Sequence, residues 1–86
     1  MYDYEKQKDF VFTDEGQRRF LNIRDRAFHL IKAAGAARAQ EIMSGFGGDS
    51  WQLMACLDRL VEIGDLIRVD ALTGYWQYRI YGRKDQ

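Results

Sequence analysis

The residue types that could do chemistry are few in this chain, and their spacing does not assemble a reaction centre. His29 is the single histidine and falls mid-helix beside an apolar stripe, where a packed or surface imidazole is expected rather than a general base. Cys56 is the single cysteine and sits among Leu53, Leu57 and Leu60, where a thiol behaves as a small hydrophobe. It has no second cysteine for a metal clip or an intramolecular disulfide. Gly45-Phe46-Gly47-Gly48 lacks the Gly-Lys-Ser/Thr and the preceding strand of a phosphate-binding loop, so it reads as a connection. Asp58 and Glu62 lie four residues apart on one helical face, which a solvated surface explains. The expectation is therefore no enzyme, no catalytic residue, no metal and no cofactor. What remains is polar recognition. If a two-residue turn stands at Thr73-Gly74, Arg68 faces Arg79 across a hairpin, and two like charges in that position call for a counter-charge such as Asp70 or a phosphate.

The elements that would position these residues follow from periodicity. The same turn pairs Leu72 with Tyr75, Ala71 with Trp76, Asp70 with Gln77, Val69 with Tyr78 and Ile67 with Ile80. One face then carries Ile67, Val69, Ala71, Trp76, Tyr78 and Ile80. The other carries Arg68, Asp70, Gln77 and Arg79, and a slip of one residue exchanges the two. A first helix is predicted from Asp14, with Gln17 completing an Asp-x-x-Gln cap, and its core stripe is Phe20, Ile23, Ala27, Leu30, Ile31 and Ala34. Gly35 stops it. Residues 36–38 are a very short strand or a turn. A second helix spans about 38–44, with Ala39, Ile42 and Met43 inward. A third spans 49–63, opens at Asp49 or Ser50 with an Asp-x-x-Gln arrangement of Asp49 and Gln52, buries Leu53, Leu57, Leu60 and Val61, and stops at Gly64. Residues 1–13 read as an extended arm in which Phe10 and Phe12 share one face and pack on the domain's edge.

Eighty-six residues make one domain, expected as an arm over 1–13, a body over 14–82 and a tail over 83–86. Two Trp, five Tyr and five Phe supply much of its burial. The lone cysteine fits a reducing compartment, no apolar run reaches bilayer length, and residues 1–15 lack a signal peptide's basic start and apolar centre. A cytoplasmic protein is expected. Formal charge is zero but uneven: −3 over 1–15, +4 over 16–34, −3 over 35–65 and +2 over 66–86.

The order helix, short extended link, helix, turn, helix, hairpin resembles the winged helix-turn-helix domains of bacterial and phage regulators. Residues 57–67, Leu-Asp-Arg-Leu-Val-Glu-Ile-Gly-Asp-Leu-Ile, are similar to the end of a recognition helix passing through glycine into the wing. The fold implied is α+β, with three helices and a two-stranded C-terminal wing. The resemblance makes the third helix a recognition helix. Gln52 would pair with adenine, Arg59 would reach guanine or phosphate, and Ser50 with the helix N-terminus would hold a phosphate. Arg68, Arg79 and Arg83 would meet the double-stranded DNA backbone. Trp51 either fills the gap between the second and third helices, the preferred role, or binds.

Charge divides the functional expectation. A small DNA-binding transcriptional regulator is placed first, its phosphate contacts coming from the wing and the first helix. The competing reading is a protein-interaction or dimerisation module without DNA binding, favoured by Asp58 and Glu62 on the third helix and by the aromatic N-terminal segment.

Overall fold

A computed structural model describes residues 1–69 and 75–84 of the chain. Among them are four α-helices and a small three-stranded sheet. In chain order these are α1 (Tyr4–Val11), α2 (Asp14–Ala34), β1 (Ala37–Arg38), α3 (Ala39–Met43), α4 (Ser50–Glu62), β2 (Ile67–Arg68), a 3-10 turn (Trp76–Tyr78) and β3 (Ile80–Gly82). The sheet is antiparallel in the order β1-β3-β2. The fold is therefore α+β.

The N-terminal segment is helical, not extended. Asp3 caps α1 by accepting a hydrogen bond from the Glu5 amide at 3.0 Å, while Glu5 in the first turn and Lys8 in the last suit the helix dipole. The alternation of Phe10 and Phe12 suggested a strand, but helical spacing wins because it places Tyr4, Lys8 and Val11 on one side. Val11 is fully buried, and Phe12, beyond the helix end, is exposed. Eight residues are too few for a helix to persist alone, so tertiary contact sustains α1.

α2 and α4 follow the sequence pattern, except that Phe20, Leu30 and Val61 are only partly buried and Ala34 is exposed. Ile23, Ala27 and Ile31 of α2 meet Leu53, Leu57 and Leu60 of α4 in a core that also holds Ile42, Met54, Leu66 and Tyr81. Each fully buried leucine or isoleucine contributes about 2 kcal/mol by leaving water. The α2 cap is Thr13 rather than Asp14: its Oγ1 accepts from the Gly16 amide at 3.0 Å. Gln17 closes no capping box, because its Nε2 instead donates back to the Val11 carbonyl at 2.5 Å. At α4 the predicted cap forms, Asp49 Oδ1 accepting from the Trp51 amide at 2.8 Å. Gly35 and Gly64 end their helices with φ of 85° and 89°, a region side chains disfavour.

The hairpin register differs from the expectation by two residues. Ile67 faces Gly82 and Arg68 faces Tyr81, so neither Ile80 nor Arg79 is the partner predicted for it. Trp76, Gln77 and Tyr78 form a 3-10 turn instead of continuing the strand. The predicted turn at Thr73-Gly74, with residues 70–72, lies outside the described residues. A two-residue slip preserves alternation, so the apolar pattern could not detect it. The core is met from the other side than the apolar count suggests: Ala37 and Tyr81, paired across β1 and β3, point inward. Ile67 and Val69 belong to the outer face and are 37% and 51% exposed.

Candidate functional site

α4 is buried almost all round, as expected of a helix whose residues Leu53, Met54, Ala55, Cys56 and Leu57 are consecutively apolar. α2 covers one flank and α1 another. Burial pushes the Cys56 thiol up to about 11, well away from thiolate chemistry.

The seam between α1 and α4 is polar and aromatic, and it is organised on two carboxylates. Asp58 Oδ2 accepts from the Tyr2 hydroxyl at 2.5 Å, and Asp58 Oδ1 from Arg79 Nη1 at 3.3 Å. The Arg79 guanidinium lies 5.8 Å from the Tyr2 ring centre. One turn on, Glu62 Oε1 accepts from the Tyr4 hydroxyl and from Arg59 Nη1, each at 2.8 Å, and Glu62 Oε2 accepts from Lys8 Nζ at 3.2 Å. These donors, Arg59 first, then Tyr4 and Lys8, hold the Glu62 carboxyl down at about 2. Burial, reinforced by the facing carboxylates, raises the Tyr2 and Tyr4 phenols. Tyr2 meets the Trp51 ring edge to face at 6.5 Å, and Arg59 stands over the Phe12 ring at 5.2 Å. Beneath the seam, Tyr81 is fully buried and its hydroxyl has no hydrogen-bond partner among the described residues. Burial chiefly, and the Asp58 charge secondarily, push that phenol up to about 12, while Arg79 pulls it the other way.

The residues expected to touch DNA take the following places in this arrangement. Ser50 and Gln52 lie half-buried in the first turn of α4. Arg59 is about 14 Å beyond Ser50 along the same helix, at the 1.5 Å rise per residue, and is paired with Glu62. Arg79 is paired with Asp58. Arg83 stacks over the Phe28 ring at 3.9 Å. Arg68 is exposed in β2 opposite Tyr81, so it is not cross-strand to Arg79 as predicted. Three basic residues of α2 are likewise engaged within the chain. Arg19 donates to the Gly47 carbonyl at 2.6 Å, Arg24 pairs with Asp25, and Arg26 donates to the Glu41 carbonyl.

No family model, curated protein or solved structure matches the chain.

Among the described residues no helix is long and apolar enough to cross a membrane, and no group of three metal-ligating side chains gathers. Sequence reasoning missed Tyr2, Tyr4, Lys8 and Tyr81. The signal for the first three was the Asp3 cap with Glu5 and Lys8 at opposite ends of one short helix. For Tyr81 there was none, because alternation does not say which face of the hairpin meets the core.

A second surface is apolar and open. The outer sheet face presents Ile67 and Val69, with Ile80 half-buried between the edge strands. In the segment leading into β3, Tyr75 and Tyr78 are 66% and 54% exposed and stack edge to face at 6.2 Å.

Proposed function

We propose that residues 14–82 form a winged-helix domain that serves as a protein-interaction module, with α1 as an added N-terminal helix. The succession α2-β1-α3-α4-β2-β3 and the sheet order β1-β3-β2 support the winged-helix reading. The observation that carries the function is exposed apolar and aromatic area, Ile67 and Val69 on the outer sheet face and Tyr75 and Tyr78 in the segment leading into β3. Patches of this kind mark sites of protein contact, and tyrosines bring large area at low entropic cost. The covering of α4 by α1 points the same way, because Trp51, Asp58 and Glu62 are already engaged with Tyr2, Tyr4 and Lys8.

The competing proposal, a regulator that binds double-stranded DNA, needs Gln52 and Arg59 in a groove and Arg79 on a phosphate. It would have to break the Arg59–Glu62 and Arg79–Asp58 pairs first. The two proposals separate in one experiment. The wild-type chain and Val69→Arg are titrated against a fluorescent duplex at low and moderate salt, and both are used as bait against a cell lysate. The interaction reading expects no salt-dependent duplex binding and a stoichiometric protein partner lost with Val69→Arg. Duplex binding that falls steeply with salt, unchanged or strengthened by Val69→Arg, overturns it.

A further inference from the structure

We propose that the cleft at the Tyr2 end of the α1–α4 seam binds a small molecule through a carboxylate or phosphate group, held by Arg79 and Lys6. The inference does not use the exposed sheet face, and its failure leaves the protein-interaction reading untouched.

The first observation is the cavity. It measures about 480 Å³, within the range of roughly 300–1,000 Å³ usual for small-ligand sites. Tyr2 and Tyr4, both half-buried, give it aromatic walls, and Asp3, Lys6, Asp58 and Arg79 give it charge.

The second is the state of its hydrogen-bonding groups. The acceptors are largely taken and the donors are not. The Tyr2 hydroxyl donates to Asp58 Oδ2, Arg79 to Asp58 Oδ1 and the Glu5 amide to Asp3 Oδ1, while the Tyr4 hydroxyl is committed to Glu62. The Lys6 ammonium makes no ion pair among the described residues. A guanidinium has five N–H donors. One donor of Arg79 reaches Asp58 at 3.3 Å, longer than the roughly 2.7–2.9 Å of a strong charge-assisted bond. Two cationic side chains with unused donors on one cleft call for oxygens that carry negative charge. A phosphate or carboxylate supplies them, whereas a cation would find Asp58 already engaged.

The third is Tyr81. It follows Arg79 by two residues in the extended chain of β3, so the two side chains leave the same face. Its hydroxyl is buried without a partner among the described residues, and it lies near enough to Asp58 and Arg79 for both charges to shift its titration. Such a hydroxyl is rare and costs stability. Ligand binding gives it a use. An anion that draws the Arg79 fork outward leaves Asp58 Oδ1 without its donor, and the Tyr81 hydroxyl is the neighbouring donor that replaces it. Tyr81 is then a positioning residue, sustaining Asp58 while Arg79 holds the ligand.

The test titrates inorganic phosphate and succinate, at constant ionic strength, into the isotope-labelled chain and follows its NMR shifts, with a short DNA duplex as a parallel titrant. Wild type is compared with Lys6→Gln, Arg79→Lys and Tyr81→Phe. The expected result is saturable shifts at Tyr2, Lys6 and Arg79 with at least one of the two anions. Affinity should fall about fivefold in Lys6→Gln and about tenfold in Arg79→Lys, which keeps a charge for Asp58 but loses the fork. Tyr81→Phe should bind about threefold more weakly although its ligand-free stability is not lowered, a combination that a merely structural hydroxyl would not produce. No saturable shift with either anion, or shifts that Lys6→Gln and Arg79→Lys leave unchanged, overturns the proposal. Binding of the duplex through these residues without binding of the small anions also overturns it, and assigns the site to nucleic-acid phosphate. If Arg79→Lys fails to fold, Lys6→Gln decides, since Lys6 is exposed and its ammonium supports no other residue.

Discussion

The α1–α4 seam and the outer sheet face resolve charge and exposure in opposite ways. At the seam, acidic residues that would repel a polyanion are neutralised from within, Asp58 by Tyr2 and Arg79, Glu62 by Tyr4, Lys8 and Arg59. On the sheet, Ile67 and Val69, which look like core, stand in solvent. The contrast teaches that residue type alone does not tell a binding surface from an internal one. Asp58 and Glu62 are polar because a helix docks on them, and Ile67 and Val69 are apolar although the domain does not bury them.

The comparison breaks most severely at Asp58. It is the acceptor for one donor from α1's N-terminal flank and one from the residue before β3, and its side chain is only 17% exposed. Asp58→Ala leaves the Tyr2 hydroxyl and the Arg79 guanidinium without their acceptor. The expected cost is about 2 kcal/mol, or roughly 10 °C in Tm for a domain of this size. Val69→Arg, on the open face, is expected to stay within about 0.5 kcal/mol of wild type. Thermal unfolding of the two variants in parallel checks this, and equal losses would mean that folding depends on the sheet face as heavily as on the seam.

Acid provides a milder probe of the same seam. Glu62 titrates near 2 in the folded chain against an ordinary 4.5. A carboxyl lowered on folding contributes stability that is fully present above 4.5 and is lost as pH falls from there towards 2, because the unfolded chain takes up the proton first. The docking of α1 should therefore weaken in that window, seen as a change in Trp51 fluorescence as Tyr2 moves off its ring. Glu62→Gln should flatten the transition while lowering stability at neutral pH. An acid transition identical in Glu62→Gln would assign the effect to other carboxylates.

Much of the fold was legible in the sequence where local and tertiary demands agree. α2 and α4 carry long stripes at helical spacing and end on Gly35 and Gly64, and the short strand among residues 36–38 follows directly from the helix stop before it. Legibility failed where the deciding partner is distant. α1 is too short to announce itself without α4. Alternation expresses neither the hairpin register, because a two-residue slip leaves every face unchanged, nor which face enters the core, which is the Tyr81 face. For the same reason Arg79 was legible as a charged residue but not as the partner of Asp58.

The smallest effect is the most informative about where the two regions meet. Tyr81 lies in β3 and reaches the core below Asp58 and Arg79, so it belongs to the sheet by backbone and to the seam by side chain. A buried hydroxyl without a partner costs desolvation and returns little, whereas phenylalanine keeps the ring's packing. Tyr81→Phe is therefore expected to leave stability unchanged or to raise it by up to about 1 kcal/mol. A loss of that size or more, measured by denaturant unfolding, would show that the hydroxyl is tied into the Asp58–Arg79 network. The seam would then extend through the core to β3, and the sheet would share in holding α1 down.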